Sequence, residues 1–479
     1  MYFGGQETTA GHAHDPAKPT NINTSTGPPS VRFSDLPQDV LYRIASKLPQ
    51  TEFARTSILS GDWRCISCSA CPSLTFDADA AKICGFEFRH VREYINEVNA
   101  VLEKHQNKVV EALQLRIGFV YTTLLACHIN AWVDFAISSR TKSLTLDLKP
   151  QMFWWEFKHR YAFPFQLFDV GSISRLQDMQ LSFVSLSSPP SWFKGFPNLK
   201  RLHLQVSRDN WKDLERMLSL CRALEWLYID RCNIDGDEQL TVDTPLSRLI
   251  YLRVEWCGLS KIRFNAVNLA TFDYYGSFIP IDLVHSFKLK SANIEFHNAV
   301  FHHALVSLLN GLPSVQNMTL KICWTRPEKQ WLWDNPLKFS NLRHLRLTMA
   351  INTEGDDKIL YSVSILRATP FIEKLEVHFV TFGWFAEVGP CRKDLGKIKY
   401  NYLKDIWITG FNAARGQVEF LLHAVENAPA LEAVSVEISK YPSRKSLATC
   451  GSPIEAAKHI ATTCLCATLP QNVAFDVKE

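Results

Sequence analysis

The sequence predicts an α/β chain: a small unit of three short helices near the N-terminus, followed by an irregular solenoid of parallel strands with helical returns. Three observations lead there. The run from Phe33 to Arg64 carries helix caps and prolines but is too short for a core of its own. A phrase of the form leucine-x-x-leucine-x-leucine recurs along the chain from Leu176 to Val436. Amphipathic stretches of helical period fall between those phrases.

The N-terminal unit follows from its caps. Ser34 or Asp35 can cap a helix, Pro37 has its φ preset for a first turn, and Asp39 sets a carboxylate near the positive end of the dipole. Leu36, Val40, Leu41, Ile44 and Leu48 then form one apolar stripe, with Gln38, Arg43 and Lys47 on the wet side, and Pro49 ends the helix. Thr51 caps a second short helix with Phe53 and Ala54, Ile58 and Leu59 continue the apolar pattern, and Ser60 caps a third with Trp63. Helices this short leave apolar surface uncovered, so the unit is expected to dock on the rest of the chain or to accept a partner.

The runs LPQDVLYRIASKLP and RTSILSGDWR resemble the F-box of plant F-box proteins, matching at Leu36, Pro37, Asp39, Val40, Leu41, Ile44, Leu48, Pro49, Arg55, Thr56, Ser57, Leu59, Ser60, Trp63 and Arg64. Where that family usually carries a basic pair before the tryptophan, this chain has Gly61 and Asp62. The resemblance implies that Leu36, Pro37, Val40, Leu41 and Ile44 face a Skp-type adaptor. Leu48, Pro49, Leu59 and Trp63 would be divided between that face and the module's own packing.

Length and composition bound the remainder. At 479 residues the chain exceeds one typical domain, and a net charge of +4 from 52 basic and 48 acidic residues implies neither a nucleic-acid nor a membrane partner. Residues 1–30, rich in Gly, Thr, Asn, Pro and His, read as a disordered leader without a signal-peptide core. No stretch approaches the roughly 18 apolar residues needed to cross a bilayer, so the expected location is intracellular, in nucleus or cytoplasm. Of the 13 cysteines, Cys65, Cys68 and Cys71 have the spacing of half a zinc site, but Cys84 and His90 offer no recognisable second half. They read as free thiols, and Cys221, Cys232, Cys257 and Cys323 as small core residues, so neither a metal nor a cofactor is expected.

The next elements are a linking helix over residues 89–105 and a strand-like run from Val109 to Ile117. The repeat phrases then follow: Leu176–Met179–Leu181, Leu199–Leu202–Leu204, Leu224–Leu227–Ile229, Leu249–Leu252–Val254 and Leu269–Phe272–Tyr274, at a period of about 20 to 25 residues, the leucine-rich-repeat range. Val315–Met318–Leu320, Leu342–Leu345–Leu347, Ile372–Leu375–Val377, Leu403–Ile406–Ile408 and Leu431–Val434–Val436 continue it at a period nearer 30. Each unit reads as one short strand whose alternate side chains enter a shared core, with a helical or irregular return. The returns WKDLERMLSLCRALEWL, with Leu214, Met217, Leu218 and Cys221, and FHHALVSLLNGLPSV, stopped by Gly311 and Pro313, each put one apolar face inward.

Residues 403–438 resemble the FBD motif of plant F-box proteins, on Gly410, Phe411, Glu419, Leu422, Ala428, Pro429, Leu431 and Glu432, and read as a cap on the last repeat. The expected organisation is therefore a leader (1–30), F-box (31–80), linker helix (81–108), solenoid (109–400), FBD-like terminal repeat or cap (401–440) and tail (441–479). Phe153, Trp154, Trp155, Phe157 and Tyr161 crowd one insertion and read as core under a long loop. No nucleophile elbow, zincin or phosphate-loop motif occurs, and His302 and His303 read as solvated residues of a helix.

The two resemblances together imply a non-catalytic substrate receptor of a Skp–cullin–F-box ubiquitin ligase, reaching cullin and RING subunits through the adaptor and holding an unidentified protein target on its repeats. Two alternatives stand beside it: a non-degradative interaction scaffold, favoured by Gly61 and Asp62, and a small-molecule receptor using the concave face. Basic residues clustered across successive strands, which a phosphate cofactor would need, are not evident in the sequence.

Overall fold

The computed structural model describes residues 36–37, 40, 44, 73–78, 88–105, 109–118, 123–150, 160–186, 189–207, 210–232, 238–323, 338–351, 361–381, 395, 398–439 and 453–478. The chain falls into two compact units, Met1–Cys71 and Pro72–Glu479. The second is built on strands β1 (Ser73–Asp77), β2 (Ala112–Arg116), β3 (Ser143–Asp147), β4 (Tyr161–Ala162), β5 (Asp178–Ser182), β6 (Val184–Ser185), β7 (Arg201–Gln205), β8 (Trp226–Asp230), β9 (Glu238–Val242) and β10 (Tyr251–Glu255). It continues with β11 (Leu259–Phe264), β12 (Thr271–Ser277), β13 (Ile281–Asp282), β14 (Ser291–His297), β15 (Asn317–Cys323), β16 (His344–Ile351), β17 (Lys374–Thr381), β18 (Asp405–Phe411), β19 (Ala433–Ile438) and β20 (Ala474–Lys478). The helices between them are α1 (Phe88–Lys104), α2 (Thr123–Ser138), α3 (Val170–Ile173), α4 (Trp211–Leu220), α5 (Phe301–Gly311), α6 (Tyr361–Arg367), α7 (Arg415–Glu426) and α8 (Pro453–Cys466).

Fifteen strands form one parallel sheet in chain order, β1-β2-β3-β5-β7-β8-β10-β12-β14-β15-β16-β17-β18-β19-β20. Its register is the repeat phrase itself: Leu202 pairs with Leu227, Leu227 with Leu252, and Leu252 with Phe272, all fully or almost fully buried. A strand side chain alternates in direction, so the leucines share one face and the intervening residues share the other. Each repeat therefore buries its apolar side against its neighbours, each fully buried leucine contributing about 2 kcal/mol.

Two backbone features recur along the sheet. Before most strands of this sheet, one carbonyl accepts two successive N–H groups from the next unit: Lys200 O from Glu225 and Trp226, Glu225 O from Ile250 and Tyr251, Ile250 O from Ala270 and Thr271. After several strands the chain turns through a residue with positive φ, at Phe183, Val206, Arg231, Trp256 and Asn298. The N–H of Val206 still donates to Asp230 O and that of Arg231 to Glu255 O, so the corner stays fastened to the next strand. That bond holds even a β-branched residue in a backbone region it disfavours.

Every one of the ten repeat phrases read from the sequence is a strand of this sheet. Helices α1 and α5 lie within a residue or two of their expected spans; α4 ends at Leu220, before the run read with it is over, and Leu214, Met217, Leu218 and Cys221 do face inward. Three expectations need correction. Ser73–Asp77, expected inside the F-box, is a strand paired in register with Ala112–Arg116, because Leu74 and Phe76 alternate with polar residues as the later leucines do. Consequently α1 is the return of the first repeat and not a linker. The FBD-like segment is a repeat of the sheet but neither the last one nor a cap: β19 pairs with β20, with α8 crossing between them.

The third correction concerns the returns. Midway along the sheet they are strands, β9, β11 and β13, which form their own three-stranded parallel sheet with Leu240, Ile262 and Ile281 in register and buried. Spacing accounts for β11 and β13: Tyr251, Thr271 and Ser291 follow one another every 20 residues, too few for a helix and two turns, whereas His344 and Lys374 are 30 apart. It does not account for β9, whose interval from Trp226 to Tyr251 equals the one from Arg201 to Trp226 that holds α4. No helix among the described residues is long and apolar enough to cross a membrane.

Candidate recognition surface

Of the residues expected to meet an adaptor, Leu36, Pro37, Val40 and Ile44 are described. Val40 N–H donates to Pro37 O at 3.0 Å, Val40 and Ile44 are each helical, and Val40 is 37% exposed. Leu41, Leu48, Pro49, Leu59 and Trp63 lie outside the described residues, as do Cys65, Cys68, Cys71 and Cys84 and the aromatic run Phe153–Phe157. Tyr161 is buried, as expected, its hydroxyl donating to Asn130 Oδ1 at 2.5 Å. Cys221, Cys232 and Cys323 are buried, while Cys257 is half-buried.

The pleat turns one residue in two toward the open face of the sheet, and register brings side chains some twenty-five residues apart into rows. From β7 to β12 the rows are aromatic and acidic. His203 stacks on Tyr228 with centroids 4.3 Å apart, and Trp226 stacks on Tyr251 at the same separation. The Arg253 guanidinium lies between the rings of Tyr228 (5.0 Å) and Tyr275 (5.3 Å) while its Nε donates to Glu255 Oε1 at 2.8 Å. Tyr228 and Tyr251 hydroxyls each donate at 2.6 Å, to Glu255 Oε2 and Asp273 Oδ2. Burial, and the carboxylates that need those protons, raise both phenols, that of Tyr251 to about 12. Gln205 and Arg231 donate to Asp230 Oδ2 at 2.7 and 2.8 Å.

Toward the C-terminus the polarity inverts. Glu376 on β17 is 4% exposed and accepts from Arg346 Nε at 2.5 Å, with His344 Nε2 and Lys374 Nζ each 2.9 Å from Oε1. Burial opposes its ionisation, but the hydrogen bonds from Arg346 and Lys374 outweigh it and bring the carboxyl down to about 2. This is a basic cluster across successive strands, which the sequence did not reveal. His344 stands opposite Lys374, and Arg346 opposite Glu376, only once β16 and β17 are paired.

The FBD-like segment is a fastening. Gly410 has φ +70°, and a Cβ there would fall 2.0 Å from Phe379 O, so only glycine admits the bulge that seats fully buried Phe411. Gln417 accepts from Asn412 N at 2.8 Å and donates to Gly410 O at 3.1 Å, while Arg415 Nε donates to buried Glu419 at 2.9 Å. On the side of the returns, α5 and the outer sheet bound a groove of about 670 Å³ lined by Lys261, Phe278, Ile281, His302, Val306 and Asn310. His303 is exposed and His302 half-buried.

Residues 101–469 match the family model described as At1g61320/AtMIF1, LRR domain. The chain is similar to the putative F-box/FBD/LRR-repeat protein At5g62970 of Arabidopsis thaliana, 27% identical over 72% of this chain and 77% of that protein. It is similar also to the F-box/FBD/LRR-repeat protein At1g13570 of the same plant, 24% identical over 85% and 91%, and to the FBD-associated F-box protein At1g61320, 21% identical over 85% and 88%.

Proposed function

Because the chain belongs to the leucine-rich-repeat family of the At1g61320/AtMIF1 type, with an F-box before its repeats and an FBD segment near their end, we propose that it is a substrate receptor of a Skp–cullin–F-box ubiquitin ligase. The observation that carries this reading is the co-occurrence of two surfaces: the ordered F-box match from Leu36 to Arg64, and a sheet whose open face is lined by aromatic and charged side chains. The F-box docks on a Skp-type adaptor through Leu36, Pro37, Val40, Leu41 and Ile44, with Leu48, Pro49, Leu59 and Trp63 shared between docking and the module's own packing. The open face takes the target protein. Aromatic and arginine side chains such as Trp226, Tyr251, Tyr228 and Arg253 are the residue types that dominate interface energetics.

The chemistry then belongs to other subunits. This chain contributes proximity, raising the effective concentration of target lysines at a ubiquitin thioester. The complex is intracellular, in nucleus or cytoplasm. Co-expression with a plant Skp-type adaptor followed by size-exclusion chromatography tests the first step. Wild-type chain is expected to co-elute with adaptor, and L36A/P37A to elute alone with an unchanged circular dichroism spectrum. Co-elution of the double variant would overturn the docking assignment. Cullin recovered with the wild-type complex separates a ligase receptor from a scaffold.

A further inference from the structure

Near the middle of the open face, three side chains of different chemistry converge. Glu295 and His297 are two residues apart on β14 and so point the same way, and Cys323 on β15 pairs in register with His297. One carboxylate oxygen of Glu295, one ring nitrogen of His297 and Cys323 Sγ all lie within 4.8 Å of one another. The Oε1–Nε2 separation is 3.1 Å and the Sγ–Oε1 separation 3.7 Å. A tetrahedral zinc-class ion with ordinary bond lengths spaces an oxygen and a nitrogen ligand about 3.4 Å apart, and a sulfur and an oxygen ligand about 3.6 Å apart. His297 Nε2 is buried and makes no aligned hydrogen bond, although Glu295 is beside it. The Trp256 ring, 4.7 Å from the imidazole, packs against it.

We propose that Glu295, His297 and Cys323 form a three-ligand site for a zinc-class divalent cation, its fourth coordination position open to whatever occupies the sheet face. A thiolate with an imidazole selects such ions over calcium or magnesium, which take oxygen ligands. The proposal is independent of the ligase reading. In the sequence Cys323 reads as a small core residue of an apolar strand-like segment, and strand pairing is what brings Glu295 and His297 beside it.

The site has a built-in competitor. Lys321 stands opposite Glu295 in the ladder, with Nζ 2.9 Å from the same Oε1. Without metal the ammonium neutralises the carboxylate, and burial keeps the Cys323 thiol protonated. On binding, the Cys323 S–H bond breaks, a sulfur–metal bond forms and the proton leaves to solvent, while Lys321 gives up Oε1.

The test is anaerobic titration of the reduced full-length chain with Co²⁺ as probe, read by its thiolate-to-cobalt absorption. The expected result is one equivalent bound, displaced by Zn²⁺, with the absorption lost in C323S and in H297Q. H297Q substitutes a residue less buried than Cys323 with a side chain that keeps a polar end, and so tests the site even where C323S disturbs packing. K321M should tighten binding on the order of tenfold by freeing Glu295. An absorption that survives C323S or H297Q, or is absent from the wild-type chain, would overturn the proposal. Unchanged affinity in K321M would remove Glu295 from the ligand set and overturn the three-ligand site.

Discussion

Arg253 and Glu376 occupy the same place in the repeat: each lies between two buried apolar side chains of its strand, Leu252 and Val254 or Leu375 and Val377. Their surroundings are opposite. Arg253 is a cation held by a carboxylate and two tyrosine rings, whereas Glu376 is a carboxylate held by two cations and a histidine. The backbone register is continuous from one to the other. The buried residues thus fix the scaffold while the outward residues are free to differ, and the two halves of one face offer a partner opposite polarity. Neutralising charge is concentrated in one residue of the basic half and shared in the aromatic half.

The largest effect should come from breaking that concentration. E376Q leaves Arg346, Lys374 and His344 facing one another without a carboxylate, and is expected to cost about 2–3 kcal/mol in urea unfolding; half-exposure of the cations keeps it below the loss for a fully buried pair. The pH dependence has a definite sign. With its folded pKa lowered to about 2 from 4.5, Glu376 contributes stability above pH 4.5 that is lost as pH falls toward 2. The wild-type protein should show this loss and E376Q should not.

How much of this was legible in the sequence depends on range. The phrase Leu199–Leu202–Leu204 is local, so the ladder could be read from side-chain period alone. Where a small or aromatic residue replaces leucine the phase is lost: β14 carries Ala292, Ile294 and Phe296, β1 carries Leu74 and Phe76, and β20 carries Phe475 and Val477. Strict alternation was nonetheless present in all three, and was the missed signal. Leu240–Val242 and Ile262–Phe264 alternate too, yet a helical or irregular return was expected there. The face itself was illegible, because Glu376 meets Arg346 through strand register across thirty residues, and no local spacing encodes that. The F-box and FBD resemblances were legible as ordered motifs, and the structure adds why the second needs glycine at position 410.

A second acid response belongs to the same half. His423 on α7 is buried against Tyr400, whose hydroxyl lies 3.0 Å from Nε2, and burial with nearby Arg367 lowers its pKa to about 4. The unfolded chain takes up a proton near 6.5 and the folded chain near 4, so stability falls as pH drops between those values. The expected loss is on the order of 2 kcal/mol, and H423N should remove the pH dependence in that window while leaving the lower Glu376 window intact. Urea midpoints at pH 7, 5 and 3.5 for wild type, H423N and E376Q would resolve the two. Overlap of the windows in every variant would break the assignment of each to one residue.

The smallest effect is expected at the residue that corresponds to Glu376. R253M removes the charge between Tyr228 and Tyr275 and the bond to Glu255, yet Glu255 keeps the Tyr228 hydroxyl at 2.6 Å, and the methionine side chain still covers the rings. A loss of about 1 kcal/mol follows from the cation–π contacts. Thermal unfolding of R253M and E376Q side by side measures the difference directly. A larger loss for R253M would show that the aromatic half, not the basic half, hangs on one charge, and would reverse the comparison.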